Sequence, residues 1–236
     1  MNLVLFDIDG TLLRSGGGGR GAMSMAAQHC FGRPDLFDDV SFAGAVDLEV
    51  TGRALAQAGF PPTPRRIGRM RATYLRCLRR SLDVSAGSLC PGVPDVFERI
   101  EGAASIGLVT GNWPEGARIK LDVYGIGHFF EGCPGAYGDD AIDRDDLLPI
   151  AVRRARRKWG DVHRVLLVGD TPADISCARA GAAKMGMAGP EVIAVGVKTG
   201  FSDSDSLLAC GPDLLLDDLQ EGLPQLLEAI QSGVGR

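Results

Sequence analysis

Residues 3–11 of the chain have the sequence LVLFDIDGT, an apolar run followed directly by a short acidic turn. An apolar run without polar alternation is typical of a strand that is buried on both faces of a parallel sheet. Further runs of this kind occur at residues 106–109, 165–168, 192–197 and 214–216, with helical patterns between them. This alternation predicts an α/β fold with a doubly wound parallel sheet.

Two helices are predicted with their ends. One follows Thr63-Pro64 and has an apolar face formed by Ile67, Met70, Tyr74 and Leu78. The other runs to about Trp159, with Asp145 as its N-cap and Gly160 as its end.

The stretch between the first and second apolar runs interrupts the alternation, because most of it contains no predicted strand. It begins with four glycines at residues 16–19 and ends with residues 87–94, which include two prolines. We predict that residues 15–88 form an inserted α-helical cap domain and that residues 1–14 and 89–236 form the core. Two segments, here called the crossings, join the predicted cap to the core. The glycine run in the first of them favours a cap that moves as a lid.

The composition is that of an ordinary globular protein, with 236 residues, 45% hydrophobic residues and a net charge of −5. This charge disfavours binding to nucleic acid or to anionic membranes. The first ten residues have no basic segment typical of a signal peptide, and no apolar run approaches the ~20 residues of a membrane span. Six cysteines without zinc-site spacing favour a reducing, cytoplasmic location. We expect a monomer or a homodimer.

Acidic residues follow two of the predicted strands. Asp7 and Asp9 come after the first strand, and Asp170 and Asp174 come after the strand at 165–168. The carboxyl ends of parallel strands are where open α/β sheets bind ligands. Hard carboxylate oxygens favour Mg²⁺. For Asp174, a structural role in the first turn of the next helix is an equal alternative.

The strand at 106–109 ends in a small polar turn formed by Thr110, Gly111 and Asn112. The turn offers a hydroxyl, an amide and a backbone that a ligand can approach closely. Pro114 then begins a helix, whose N-terminus favours anions. We predict a phosphate-binding turn.

Together these motifs resemble the haloacid dehalogenase-like hydrolase superfamily, and its phosphoglycolate phosphatase-like members in particular. The superfamily's Asp-x-Asp-x-Thr motif matches residues 7–11, its second strand ending in Ser or Thr matches Thr110, and its Gly-Asp-x-x-x-Asp motif matches residues 169–174. The insertion resembles the helical cap of one subgroup. The resemblance implies a Rossmann-like core and a Mg²⁺-dependent phosphatase acting on a small phosphorylated metabolite.

The resemblance also implies a role for each motif residue. Asp7 becomes the nucleophile that forms an aspartyl-phosphate, and Asp9 becomes the general acid and then the general base. Mg²⁺ is held by Asp7, the backbone carbonyl of Asp9 and Asp170, with Asp174 acting through water. Thr110 and the neighbouring backbone N–H groups bind the phosphoryl oxygens.

The chain departs from the family pattern at one charged position. Many capped relatives have a Lys-Pro pair before the last motif, and its lysine bridges nucleophile and phosphate, whereas this chain has Asp143-Arg144 near that position. Lys120 and Arg144 are the two candidates for the bridging charge, and Lys120 is preferred over Arg144. A solvated helix lysine is the structural alternative for Lys120.

Other activities remain possible from the sequence alone. A phosphomutase uses the same core, and a non-catalytic regulatory or binding protein can retain the fold. A dehalogenase is disfavoured because halide departure needs no proton donor such as Asp9. A solvated helix face is the interpretation of six arginines, namely Arg65, Arg66, Arg69, Arg76, Arg79 and Arg80. Asp47 either faces the site or serves as an ordinary helix N-cap.

Overall fold

The computed structural model describes residues 1–83, 86–200 and 202–232. In chain order, the strands within this part are β1 (Asn2–Phe6), β2 (Leu13–Arg14), β3 (Ser88–Leu89), β4 (Ser105–Val109), β5 (Gly135–Ala136), β6 (Arg164–Gly169), β7 (Glu191–Val197) and β8 (Leu214–Leu216). Six of them form a parallel sheet in the order β5-β4-β1-β6-β7-β8.

Helices precede and follow the strands along the chain. They are α1 (Gly18–Phe31), α2 (Asp47–Gln57), α3 (Pro64–Ser81), α4 (Asp95–Ile100), α5 (Pro114–Val123), α6 (Leu147–Trp159), α7 (Pro172–Met185), α8 (Ser204–Ala209) and α9 (Leu223–Gln231). Short 3₁₀ turns lie at Gly127–Phe130 and Arg144–Asp146. Among the described helices, none has the length and hydropathy that a membrane span requires.

The central strand β1 is buried on both faces, because its side chains alternate between two apolar clusters. Val4 and Phe6 pack in a cluster that contains residues of α4, α5 and α9. Leu3 and Leu5 pack in a second cluster with α6 and α7. Helices therefore cover both faces of the sheet, and the predicted doubly wound α/β core is confirmed.

A third apolar cluster lies among α1, α2 and α3. Its buried members include Met23, Leu55 and Tyr74, one from each helix. Trp113 and Ile119, which lie outside the predicted insertion, belong to the same cluster. Helix α3 begins as predicted, since the Thr63 side chain accepts a hydrogen bond from the Arg66 N–H. We retain as a proposal that residues 15–88 form a cap on a core of residues 1–14 and 89–236.

The two crossings of the proposed cap lie side by side. Strand β2 pairs with β3 in an antiparallel ribbon, with Leu13 opposite Leu89. A Cβ on Gly87 would collide with the Arg14 carbonyl and the Tyr124 hydroxyl, so only glycine fits there. The glycine run is not wholly a linker, because Gly18 already begins α1 and Gly17 is its N-cap.

The N-cap residue predicted for α6, the helix that ends at Trp159, was wrong. The side chain of Asp143, not that of Asp145, accepts a hydrogen bond from a backbone N–H, at 2.9 Å. Its extended backbone suits a cap position, and a 3₁₀ turn over Arg144–Asp146 then leads into α6. This turn leaves Arg144 only 8% exposed and directs its side chain towards Asp7, at the end of β1.

Candidate active site

The predicted site residues follow three neighbouring strands. Asp7 follows β1, Thr110 follows β4 and Asp170 follows the glycine that ends β6. Because β1 lies between β4 and β6, the carboxyl ends of the three strands are adjacent. The Asp7 N–H donates to the Val168 carbonyl at 2.9 Å, which extends the pairing of β1 and β6 to Asp7.

Three buried carboxylates form the centre of the site. Oxygen atoms of Asp7, Asp170 and Asp174 all lie within 4.8 Å of one another. Burial raises the pKa of Asp170, and the carboxylates of Asp174 and Asp7 raise it further. Burial likewise raises the pKa of Asp7, although Arg144 and a hydrogen bond with Thr110 oppose this change.

Asp174 has the structural role that was weighed for it, and it also lies in the carboxylate cluster. Its Oδ2 accepts from the backbone N–H of Thr171 at 3.0 Å and from the Thr171 hydroxyl at 2.7 Å, which completes a capping box at the start of α7. Its Oδ1 forms an ion pair with Arg144. Asp174 therefore caps a helix and also contributes charge to the carboxylate cluster.

Arg144 provides the positive charge at this cluster. Its Nη2 lies 3.3 Å from Asp7 Oδ1 and also contacts Asp174 Oδ1. Its Nε is buried and has no hydrogen-bond partner among the described residues. Arg144, rather than the preferred candidate Lys120, is therefore the residue in contact with Asp7. Arg144 reaches Asp7 because the capped 3₁₀ turn at Arg144–Asp146 directs its side chain inward.

Lys120 is also buried, so the alternative of a solvated lysine is wrong. It is 5% exposed, and its Nζ donates to Asp9 Oδ2 at 2.5 Å and to Asn112 Oδ1 at 2.7 Å. The Asn112 amide donates to Asp9 Oδ2 and to Thr110 Oγ1, each at 2.8 Å. Lys120 and Asn112 are thus engaged with Asp9, the second aspartate of the first motif.

The carboxylate cluster fits a divalent cation. Among the described residues one guanidinium contacts this cluster of three carboxyl groups, so their full ionisation leaves excess negative charge in a buried site. Asp170 is held in place by the Thr11 hydroxyl, which donates to its Oδ1 at 3.1 Å. Hard oxygen donors in this arrangement are the ligands that Mg²⁺ prefers.

A cavity of about 510 Å³ opens onto these residues. Its lining joins the strand ends to residues of the proposed cap, including Met23, Phe42, Asp47 and Tyr74. The Tyr74 residue is 2% exposed, and none of the described residues hydrogen-bonds its hydroxyl. The sequence analysis placed Tyr74 only on an apolar helix face. A tyrosine among apolar residues carries a polar hydroxyl, and this was the one sign in the sequence that Tyr74 also borders the cavity.

Asp47 connects the two sides of this cavity. Its N–H donates to the Gly111 carbonyl at 2.7 Å, and its Oδ2 accepts from the Trp113 N–H at 2.8 Å. It is not the N-cap of its own helix, because Val46 has that position. Burial raises the pKa of Asp47 to about 6. Gly111 is required for this contact, since a Cβ there would collide with the Ala45 carbonyl.

A comparison with known proteins finds a relative that matches the chain over nearly its whole length. The chain is 28% identical over 236 residues to a phosphoglycolate phosphatase of Synechococcus elongatus, covering 96% of this chain and 99% of that protein.

Solved structures share the fold. A predicted phosphoglycolate phosphatase from Haemophilus somnus superposes with a TM-score of 0.66 at 20% identity, covering 95% of this chain and 97% of that one. A candidate β-phosphoglucomutase from Bacteroides vulgatus gives a TM-score of 0.65 at 20% identity, covering 100% of this chain and 91% of that one.

The family model of haloacid dehalogenase-like hydrolases matches residues 1–181, a range that includes every motif residue discussed above. The predicted resemblance and the predicted enzyme class are thereby confirmed. This chain belongs to the haloacid dehalogenase-like hydrolase family.

Proposed function

We propose that this hydrolase is a Mg²⁺-dependent phosphatase that cleaves a small phosphomonoester through an aspartyl-phosphate intermediate. The observation that carries the proposal is the buried Asp7 carboxylate, which has Arg144 at 3.3 Å and Asp170 beside it at the mouth of a cavity. The name of the Synechococcus elongatus relative supports a phosphomonoester as the substrate.

Asp7 acts as the nucleophile in this proposal. An Asp7 carboxylate oxygen forms a bond to phosphorus while the bond between phosphorus and the ester oxygen breaks. The Asp7 side chain is held between Arg144 and Thr110, so little motion is needed to reach the phosphorus.

Asp9 provides the proton that the leaving oxygen takes up as it departs as an alcohol. The Asp9 side chain is 37% exposed and lines the cavity, which gives it access to a substrate. The same carboxylate, now deprotonated, then accepts a proton from the water that attacks the aspartyl-phosphate, releasing inorganic phosphate and regenerating Asp7.

The phosphoryl oxygens bind to Arg144, to the Thr110 hydroxyl and to the Gly111 N–H. The unpartnered Nε of Arg144 supports this assignment, and the Thr110 hydroxyl exchanges its hydrogen bond with Asp7 for one with a phosphoryl oxygen when the substrate binds. Asn112 and Lys120 are not assigned to phosphate, because their polar groups already bond to Asp9 and to each other.

Asp7, the backbone carbonyl of Asp9 and Asp170 would hold Mg²⁺, with Asp174 behind them. When bound, the cation offsets the repulsion between the Asp7 carboxylate and the phosphate dianion. Arg144 contributes to the same end through its contact with Asp7.

We also propose the cytoplasm as the compartment and a free metabolite as the substrate, without nucleic-acid or membrane partners. All six cysteines are free, which suits a reducing compartment. A monomer or a homodimer is compatible with this function.

The test is phosphate release from an aryl phosphate by protein stripped of metal, with and without added Mg²⁺. We expect activity only with Mg²⁺, and none from Asp7→Asn, which keeps the shape of the side chain without its nucleophile. Full turnover in excess chelator, or by the Asp7→Asn variant, contradicts the proposal. Transfer of the phosphoryl group to a second hydroxyl of a sugar phosphate, instead of release to water, indicates a phosphomutase.

A further inference from the structure

Lys120 lies where the core, α1 and the turn that carries Asp9 meet. It projects from α5 towards Asp9, and a Cβ on Gly19 of α1 would lie 3.6 Å from its Nζ. The ammonium is therefore covered from the side of the proposed cap. A buried ammonium in a site of this kind needs hydrogen-bond acceptors, and Asp9 and Asn112 are the two that the described residues provide.

The contacts of Lys120 and Asn112 form a closed triangle with Asp9. The lysine donates to Asp9 Oδ2 and to Asn112 Oδ1, and the asparagine amide donates to the same Asp9 Oδ2. The second amide contact of Asn112, to Thr110 Oγ1, ties the triangle to the end of β4. Both donors converge on one carboxylate oxygen, which fixes the rotation of the Asp9 side chain.

This geometry leaves the two oxygens of Asp9 with different surroundings. Oδ2 is occupied by two nitrogen donors, so Oδ1 is the oxygen left to meet a leaving group in the cavity. The described ion pair of Lys120 is with Asp9, and the nucleophile Asp7 is paired with Arg144 instead. Lys120 and Arg144 therefore contact different aspartates.

We propose that Lys120 is a positioning residue for Asp9: together with Asn112 it holds Oδ2, so that Oδ1 transfers the proton to the departing ester oxygen. The proposal rests on the phosphatase function proposed above. Loss of Lys120 leaves the nucleophile and its phosphate contacts intact and impairs protonation of the leaving oxygen. The defect must therefore grow as the leaving group becomes more basic.

The experiment compares Lys120→Met with wild type in single-turnover phosphorylation by an aryl phosphate and by an alkyl phosphate. We expect a loss of ~10²-fold with the alkyl ester and at most a few-fold with the aryl ester, whose leaving oxygen needs little protonation. Inhibition by inorganic phosphate should stay within about twofold of wild type, because phosphate contacts are unchanged. Arg118→Met is the matched control on the same helix, since Arg118 is exposed and its one ion pair within the described part of the chain is with Asp122.

A double variant tests whether Lys120 acts through Asp9. In an Asp9→Asn background, Lys120→Met should cost nothing further, since the group that it positions is already absent. Equal losses for the two esters, weaker inhibition by phosphate, or an additive loss in the double variant overturns the proposal in favour of a direct phosphate contact. If Lys120→Met does not fold, Lys120→Gln gives the same comparison.

The two proposals can fail separately. Absence of Mg²⁺-dependent turnover by the wild type, or no difference between the esters in Asp9→Asn, contradicts the phosphatase mechanism. A wild type and an Asp9→Asn variant that behave as expected, with a Lys120→Met variant that does not, contradict only the role of Lys120.

Discussion

At the scale of single residues, Arg144 keeps two buried carboxylates compatible with the folded state. It contacts both Asp7 and Asp174, each of which is at most 6% exposed. Breaking a buried ion pair by removing one partner is strongly destabilising, because a buried charge is left without compensation. The arginine therefore has a structural task beside the phosphate-binding task proposed for it.

We expect Arg144→Met to lower the free energy of unfolding by about 3–5 kcal/mol and kcat/KM by at least ~10²-fold. Arg144→Lys keeps the charge and should recover part of the stability. Urea unfolding and steady-state kinetics provide the measurements. Arg153→Met is the control because Arg153 is exposed on α6. A stable and active Arg144→Met variant contradicts this account.

The aspartates of the site were predictable from the sequence, whereas the tasks of the two cations were not. Asp7 and Asp170 follow apolar runs, and the adjacency of parallel strand ends is a general rule. Arg144 depends on a single capped 3₁₀ turn, and Lys120 depends on the rotation of α5 about its axis. Neither feature leaves a periodic signal in the sequence.

At the scale of elements, α5 joins the core to the proposed cap. Trp113, just before α5, is 1% exposed and packs against Tyr74 of α3, with ring centroids 5.6 Å apart. Arg71 of α3 pairs with Glu115 at 2.5 Å and with Asp139 at 2.9 Å. A lid that opens must break these contacts, so the glycine crossing alone does not determine its motion.

We expect Arg71→Met to weaken this junction without unfolding the protein, because ion pairs of a partly exposed side chain contribute about 1 kcal/mol or less each. Amide hydrogen exchange in α2 and α3 should accelerate, and KM should rise more than kcat falls. Arg69→Met, on the exposed face of the same helix, is the control. Unchanged exchange in Arg71→Met indicates that apolar packing alone holds the helices closed.

Trp113 also provides a direct test of the lid motion proposed for the cap. The chain has two tryptophans, so Trp159→Phe leaves Trp113 as the single emitter. We expect vanadate, a phosphate analogue, together with Mg²⁺ to change Trp113 emission and to alter protease cleavage of both crossings. If neither Trp113 emission nor protease cleavage changes when vanadate and Mg²⁺ are added, the result contradicts a moving cap.

At the scale of the whole molecule, the buried carboxylates link folding to pH. Free aspartates in the unfolded chain ionise near pH ~4, whereas burial raises the pKa values of Asp7 and Asp170 in the folded protein. Above pH ~4 the folded state therefore binds more protons than the unfolded state, and its stability falls as the pH rises. Mg²⁺ should reverse this loss, and do so more strongly at higher pH.

The expected result for metal-free protein is a free energy of unfolding that falls between about pH 5 and about pH 8. Asp170→Asn should flatten this dependence, since it removes one titrating carboxyl and the repulsion it exerts on Asp7. Asp205→Asn, at an exposed position, should leave the wild-type slope in place. Urea unfolding with chelator at several pH values measures all three slopes, and parallel slopes for wild type and Asp170→Asn contradict the linkage.

The architecture was predictable wherever the apolar runs were long. All five predicted runs lie in strands of the parallel sheet, whereas β5 was missed because its two residues, Gly135 and Ala136, form too short a run. The ribbon of β2 and β3 was missed for the same reason. The contribution of Trp113 to the cluster of α1, α2 and α3 depends on packing across the sequence, which no local pattern encodes.

The ribbon formed by β2 and β3 has a consequence for protein engineering. Because it brings both ends of the intervening segment to one point, that segment can be spliced out and replaced as a cassette without separating the flanking strands. The core that remains, however, contributes the indole ring of Trp113 to the apolar cluster inside the replaced segment. A donor segment must therefore bring a cavity shaped for that ring, and this requirement limits which chimaeras will fold.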